Sequence, residues 1–363
     1  MRPAWAEVDL GAIRANAAEL ARVAAPARLC AVVKADGYGH GAVAAATAAL
    51  DGGADGLAVA LVSEGQALRD AGVEAPILVL SEPPLVEIPA AVQAGLALTI
   101  YTEDGVQVAA TAGARAIHLK VDTGMHRVGA DASDAVALAK AALAAGLELA
   151  AVWTHLAVAD EPDDGYTDGQ LATLDAVLGD LAAEGIVPAF VHVANSAGAI
   201  AHPGARRDMV RCGVALYGLD PSPALRGACR LRPALALKAR ASYVRRLAEG
   251  ERLSYGLRYR LPRPSTIATV PIGYADGVPR RLAAVGGEVL IGGRRRAIAG
   301  TITMDQLMVD CGDDHVGAGD EVVLIGSQGD ETITAWEWAE RLDTIAYEIV
   351  CGIGPRVPRT YLP

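Results

Sequence analysis

Leu29-Cys30-Ala31-Val32-Val33-Lys34-Ala35-Asp36-Gly37-Tyr38-Gly39-His40-Gly41 is the stretch whose reading decides the fold. Leu29 to Val33 is an apolar run of buried-strand length. Lys34 closes it, and a glycine-punctuated loop leads into an Ala-rich segment, 42–50, with the composition of a helix. Desolvation at the end of a buried strand disfavours an ammonium, so a lysine there can supply the neutral amine that Schiff-base chemistry needs. Gly37, Gly39 and Gly41 let the backbone approach a ligand, and Tyr38 adds a hydroxyl. The plain alternative is a surface lysine before an ordinary loop. A dinucleotide-binding loop is rejected: it needs G-x-G-x-x-G, and here the spacing is G-x-G-x-G behind a lysine.

Working outward, similar apolar runs recur at 57–61, 77–80, 96–100, 116–121, 149–155, 190–194 and 209–214. Ala/Leu/Glu-rich stretches of helical period lie between most of them: 63–71, 84–94, 103–112, 132–145 and 169–184. Alternating strands and helices imply a parallel sheet. Eight runs between 29 and 214 fit a closed (β/α)8 TIM-type barrel. Pattern alone leaves an open doubly wound sheet in competition. The chain begins with a strand-like segment, 4–10, and a helix, 11–24. Near 230 the texture changes to strand-like runs at 235–247, 266–272, 288–291, 296–302, 307–310 and 321–325, separated by glycine turns. The reading is therefore a barrel domain over 1–230 and a mostly β domain over 231–363. Residues 1–10 are candidates to pair with the second. One helix, Ala335 to Leu342, precedes the final strands. The basic run Arg294-Arg295-Arg296 beside Gly292-Gly293 reads as a hairpin turn rather than a patch.

The 363 residues are 52% hydrophobic and 21% charged, ample for a large core, which one Phe leaves to Ala, Val, Leu and Ile. A formal net charge of −11 argues against nucleic-acid and anionic-membrane partners. Five scattered cysteines without C-x-x-C suit reduced thiols in the cytoplasm. Charges near the start argue against a signal peptide, and no apolar run reaches the roughly 18 residues of a membrane span. No metal-ligand cluster is expected.

Barrel enzymes collect reactive groups at the C-terminal ends of their strands. There the sequence places Lys34, then Lys120 and Asp122, then Thr154 and His155, then Asn195 and Ser196, then Arg211 and Gly213. Any one of them alone is an ordinary polar strand exit; together on one rim they favour a site. Phosphate sites in barrels use the loops after strands seven and eight. Ser196, the backbone of Gly213 and Val214, and Tyr38 offer hydroxyls and N–H donors for one. Arg211 sits among Met209, Val210, Cys212 and Val214, which disfavours a surface ion pair. An arginine does not lose its proton, so any ligand atom facing it must act as an acceptor.

Val33-Lys34-Ala35-Asp36-Gly37-Tyr38-Gly39-His40-Gly41 resembles the pyridoxal-phosphate lysine motif of the alanine racemases residue for residue. The resemblance extends to His118-Leu119-Lys120-Val121-Asp122-Thr123-Gly124-Met125-His126-Arg127-Val128-Gly129, Thr154-His155, Ala194-Asn195-Ser196, Met209-Val210-Arg211-Cys212-Gly213 and Tyr217-Gly218. In the β domain it covers Ser254-Tyr255-Gly256, Ile272-Gly273-Tyr274-Ala275-Asp276-Gly277 and Met304-Asp305-Gln306. It implies pyridoxal 5′-phosphate (PLP) bound through Lys34 as a Schiff base, and interconversion of L- and D-alanine as a peptidoglycan precursor. Lys34 and Tyr255 would act on opposite faces of the substrate, with Tyr255 supplied by the second subunit of a homodimer. Arg127 and Met304 would bind the substrate carboxylate, with Tyr274 and Asp305 nearby. Tyr38, His155, Asn195, Ser196, Arg211, Gly213 and Val214 would hold the cofactor. Lys120 matches a lysine that is carbamylated in many members and would then pair with Arg127. A free phenol titrates near 10, so a tyrosine base needs cationic help, which a chain through His155 to Arg211 would give. One departure is Pro355, where members often carry a phosphate-binding tyrosine; Tyr361 or water would take its place. A pocket of Tyr255, Tyr274, Met304 and Leu80 favours alanine over serine or basic amino acids. A PLP carrier protein would lack the β-domain motifs, and a decarboxylase of this fold would place an acid where Arg211 stands.

Overall fold

The computed structural model describes residues 3–363, which divide into two compact units. One is Gly11–Pro233; the other joins residues 3–10 to Ala234–Pro363. The chain opens with β1 (Ala4–Asp9) and a helix, Leu10–Ala24. In the first unit follow β2 (Arg28–Val32), β3 (Gly56–Val59), β4 (Ile77–Val79), β5 (Ala97–Ile100), β6 (Ala116–Asp122), β7 (Ala130–Asp131), β8 (Glu148–Trp153), β9 (Phe190–His192) and β10 (Met209–Cys212). The order β5-β4-β3-β2-β10-β9-β8-β6 is closed by β5 pairing with β6, while the two-residue β7 runs beside β6. Every pairing in the ring is parallel. The closed eight-strand barrel expected from the alternation is present, and closure leaves no unpaired sheet edge.

The helices form where period and caps agree. Thr102 accepts the Gly105 N–H at 3.0 Å and starts Glu103–Thr111. Helix Ala42–Asp51 buries Ala45, Ala46, Ala48 and Ala49, small side chains that let it lie close to its neighbours. The stretch 132–145 begins with a 3₁₀ turn, Ala132–Asp134, before helix Ala135–Ala144. Inside the barrel, Cys30, Val32, Ala58 and Leu78 form an apolar cluster backed by Leu80, Ala97 and Met209.

The second unit contains β11 (Leu235–Arg240), β12 (Tyr243–Leu247), β13 (Arg252–Leu253), β14 (Tyr259–Arg260), β15 (Ser265–Val270), β16 (Glu288–Ile291), β17 (Arg294–Ala297), β18 (Leu307–Asp310), β19 (Glu321–Gln328), β20 (Glu331–Ile333) and β21 (Arg359–Leu362). Its main sheet runs β17-β16-β19-β11-β1-β21, with β20 on β19; a smaller sheet is β12-β15-β18, and β13-β14 is a two-stranded pair. β1 lies antiparallel to β11, Ala4 opposite Ala239, and parallel to β21.

Four details differ from the sequence reading. The run 235–247 is two strands in two sheets, because the chain leaves the first sheet between Arg240 and Tyr243. The run 296–302 is strand only to Ala297. A second helix, Ala346–Cys351, follows Ala335–Leu342, and one strand ends the chain. Arg294–Arg296 is not the turn but the strand after it; Gly292 and Gly293 take the turn, with φ of 63° and 70°.

Candidate active site

The barrel places its polar groups by the two-residue alternation of its strands. His118, Lys120 and Asp122 share one face of β6. Arg211 of β10 stands beside Cys30 of β2 in register. It is 2% exposed. Its guanidinium donates to His192 Nδ1 at 2.8 Å, His155 Nδ1 at 3.1 Å, the Thr154 carbonyl at 3.0 Å and the Val193 carbonyl at 2.9 Å. It also lies 4.4 Å from the centre of the Trp153 ring. Removing a cation from water costs several kcal/mol, and these partners offset that cost. Burial still lowers Arg211 to about 10.

A donor-only arginine dictates the tautomers around it. His192 accepts at Nδ1, so its Nε2 carries the hydrogen and donates to His118 Nδ1 at 3.1 Å. His155 accepts at Nδ1 and carries its hydrogen on Nε2. Burial, then the Arg211 charge, holds His155 and His192 well below the usual imidazole range and lowers His118 to about 4. All three are neutral at physiological pH. Lys120, 3% exposed, has its amine 4.7 Å from the Trp153 ring centre. Burial lowers it to about 8, with help from the Arg211 and Arg127 charges and against Asp122.

Asp122 organises the loop that carries Arg127. Its Oδ1 accepts the N–H groups of Gly124 (2.9 Å) and His126 (3.0 Å), and Oδ2 meets His126 Nδ1 at 3.2 Å. Burial pushes this carboxyl up, but those bonds outweigh it and keep it below its ordinary value. Gly129, at φ 135°, is required there: a Cβ would stand 2.7 Å from the Asp122 nitrogen. Arg127 is exposed on the loop.

Lys34 follows β2 and is half-buried, so the desolvation expected for it is partial. After it, Ala35, Asp36, Gly37 and Tyr38 all have positive φ, between 52° and 61°. This left-handed turn is held by Glu64 accepting the Ala35 N–H at 2.6 Å and Asp36 accepting the Ala42 N–H at 2.9 Å. The Tyr38 ring packs 5.0 Å from Tyr217, whose hydroxyl donates to the Val32 carbonyl at 3.1 Å. The turn brings the Tyr38 hydroxyl against Gly213, where a Cβ would overlap it. Ser196 Oγ accepts the Gly213 N–H at 2.9 Å, which leaves its own hydrogen to donate. Asn195 caps the short helix Ser196–Ala201 by accepting the Gly198 N–H at 2.9 Å. Two hydroxyls beside a glycine with room for no side chain have the donor chemistry and the shape that a phosphate group fits.

Lys34, Tyr38, Lys120, Arg127, His155, Asn195, Ser196, Arg211, Gly213 and Val214 thus all belong to the barrel unit. Tyr255, Tyr274, Met304 and Asp305 belong to the other. Tyr255 (75% exposed) and Met304 (52%) stand open to solvent there, and Arg356 pairs with Asp305 at 2.7 Å. His192 and Trp153 are not among the site residues expected from the sequence. Their signal is position: each ends a strand, and each shares Arg211's surroundings. Among the described residues no group of three or more His, Cys, Asp or Glu side chains is arranged to hold a metal, and no helix is long and apolar enough to cross a membrane.

A parallel barrel with a cationic, imidazole-lined rim and a lysine at the exit of its first strand, followed in sequence by a β unit, has the build of a PLP-dependent amino-acid racemase, an isomerase. Residues 8–221 match the family model for the alanine racemase N-terminal domain and 234–361 that for the C-terminal domain. The chain belongs to the alanine racemase family. Alanine racemase of Symbiobacterium thermophilum is 50% identical, covering 99% of this chain and 97% of its own; that of Thermobifida fusca is 47% identical, covering 99% and 98%. Among solved structures, alanine racemase of Bacillus anthracis with bound L-Ala-P superposes with a TM-score of 0.93 at 40% identity, covering 100% of this chain and 96% of that one. The E. faecalis enzyme gives 0.94 at 40% identity over 99% and 98%.

Proposed function

We propose that this protein interconverts L- and D-alanine with PLP, using Lys34 and Tyr255 on opposite faces of the substrate carbon. The observation that carries the reading is the cationic rim around Arg211, in a chain that matches alanine racemases along both units. Bound PLP supplies an electron sink next to the carbon that loses its proton. Tyr38, Ser196 and the backbone of Gly213 and Val214 would hold the phosphate, and Lys34 the aldehyde carbon. Arg211 would face the ring nitrogen. Being always a donor, Arg211 would leave that nitrogen without a proton and limit the sink, which would favour prompt return of a proton over side reactions.

Inversion needs a proton removed on one face and delivered on the other. The Lys34 amine would serve the D face and the Tyr255 hydroxyl, from a second copy of the chain, the L face. Arg127 would bind the carboxylate, with Met304, Tyr274 and Asp305 closing the pocket and Leu80 limiting its size. The neutral amine that Lys120 presents near pH 8 is the form that takes up carbon dioxide, and its carbamate would pair with Arg127. A homodimer in the cytoplasm that supplies D-alanine for peptidoglycan completes the reading.

The test is Tyr255→Phe in the PLP-loaded protein. Conversion in either direction should fall by about 10²-fold or more. Exchange of the α-hydrogen of D-alanine with D₂O, without inversion, should persist. Equal loss of exchange on both enantiomers rejects the two-face assignment. Turnover of serine or lysine ahead of alanine would instead favour a racemase of broader specificity.

A further inference from the structure

Within one copy of the chain Tyr255 is 75% exposed, so packing inside its own unit does not aim it. Its direction must come from the backbone beneath it, and that backbone is unusual. Ser254 has φ 62° and ψ −175°, a region that glycine occupies easily and a residue with a Cβ does not. Gly256 follows at φ 77° and Leu257 at φ 48°. Such strain persists only where the surroundings over-determine it.

The surroundings here are one short segment. Ser254 Oγ donates to the Thr301 carbonyl at 2.6 Å, and Thr301 Oγ1 donates back to the Tyr255 carbonyl at 2.9 Å. Leu257 N–H closes the turn onto the Ser254 carbonyl at 3.1 Å. The approach depends on Gly300, at φ 80°: a Cβ there would stand 2.8 Å from Ser254 Cβ and 3.0 Å from the Leu253 carbonyl. A glycine at 254 would remove the strain, yet it would also remove the hydroxyl that ties the turn down. A serine in this conformation makes sense where fixing the next residue matters more than relaxing the turn.

We infer that Ser254 and Thr301 are positioning residues: their reciprocal hydroxyl–carbonyl pair holds Tyr255 at the bearing from which its phenol exchanges a proton with the substrate. The inference rests on the two-face reading above. A cavity of about 500 Å³ lies beside Tyr255, and its wall includes Ser254, Thr301 and Thr303. That space gives an unanchored tyrosine somewhere else to go.

The experiment compares the PLP-loaded parent with Tyr255→Phe, Thr301→Val, Thr301→Ser and Ser254→Gly. Two quantities are measured: conversion of L- to D-alanine, and α-deuterium uptake into D-alanine recovered without inversion. Thr301→Val should lower conversion by about 10-fold to 10²-fold, the scale of a misplaced reacting group, while deuterium uptake stays within about twofold. Thr301→Ser, which keeps the hydroxyl, should restore conversion. Ser254→Gly should show the same one-face loss with thermal stability kept, so that it reports even if Thr301→Val does not fold. Parent-like conversion in both Thr301→Val and Ser254→Gly overturns the clamp, as does equal loss of conversion and uptake. If Tyr255→Phe shows the one-face loss and the clamp variants do not, only the clamp fails. If Tyr255→Phe itself loses both quantities equally, the two-face reading fails and takes the clamp with it.

Discussion

The barrel rim and the β-unit turn solve one problem in opposite ways. At the rim a cation is buried, and two imidazole nitrogens and two carbonyls accept its hydrogen bonds. At the turn, within one copy of the chain, a tyrosine stands exposed, and a strained backbone with two hydroxyl bonds aims it. The rim is costly to assemble but rigid once satisfied, because each low-dielectric partner is expensive to lose. The turn stores strain and buries little. A chain can therefore change the turn with small effects on stability and large effects on chemistry, whereas the rim couples both.

The largest stability effect should come from Arg211→Met. It leaves four buried acceptors without their donor, two imidazole nitrogens and two carbonyls, while relieving the cost of one buried cation. The net loss expected is about 2–4 kcal/mol, read as a shift in denaturant midpoint at constant slope. Ser254→Gly should change stability by less than about 1 kcal/mol, since strain relief offsets a lost hydrogen bond and added chain entropy. A larger loss for Ser254→Gly than for Arg211→Met would break the contrast.

The two regions were also unequally legible in sequence. The barrel repeats one pattern eight times, and its strands match the apolar runs closely because a strand buried on both faces needs no polar alternation. Lys34, Lys120, His155 and Arg211 could be found because strand ends are where a barrel places chemistry. His192 is hard to find in sequence because its strand, Phe190–His192, is only three residues long, too short to show alternation. The β unit has no such rhythm. Its strands change sheets, so 235–247 looked continuous although Arg240 and Tyr243 pair with different partners. The backbone of Ser254 was invisible, because nothing in Ser-Tyr-Gly says that the serine, rather than the glycine alone, takes a positive φ.

A smaller effect sharpens the rim's side of the comparison. His118 titrates at about 4 in the folded chain against an ordinary value of 6.5. Between those pH values the unfolded chain binds a proton that the folded chain excludes, so stability falls as pH drops through that window. Each such histidine contributes up to about 1.4 kcal/mol per pH unit. His118→Asn keeps an acceptor for the His192 Nε2 hydrogen but cannot titrate. Its stability near pH 7 should stay close to the parent's. Its loss between pH 6 and 5 should be shallower by about that amount, measured by urea unfolding. An unchanged slope would mean that His118 is not held neutral by its burial beside Arg211.

The smallest effect belongs to an arginine with three carboxylate partners but far less burial than Arg211. Arg295 of β17 pairs with Glu288 at 3.2 Å, Glu331 at 3.0 Å and Glu337 at 2.7 Å, and Arg341 bridges Glu288 and Glu337 from helix Ala335–Leu342. Its side chain is 31% exposed. Water screens such charges, so carboxylates gathered around one guanidinium contribute far less than their number suggests. Arg295→Gln should cost about 0.5–1 kcal/mol at low ionic strength. Most of that cost should vanish in molar salt, where the screening length falls to about 3 Å. The Arg211→Met loss should stay nearly constant over the same range, because neutral imidazoles and carbonyls inside a barrel are shielded from counterions. If both losses shrink equally with salt, burial is not what separates the two arginines.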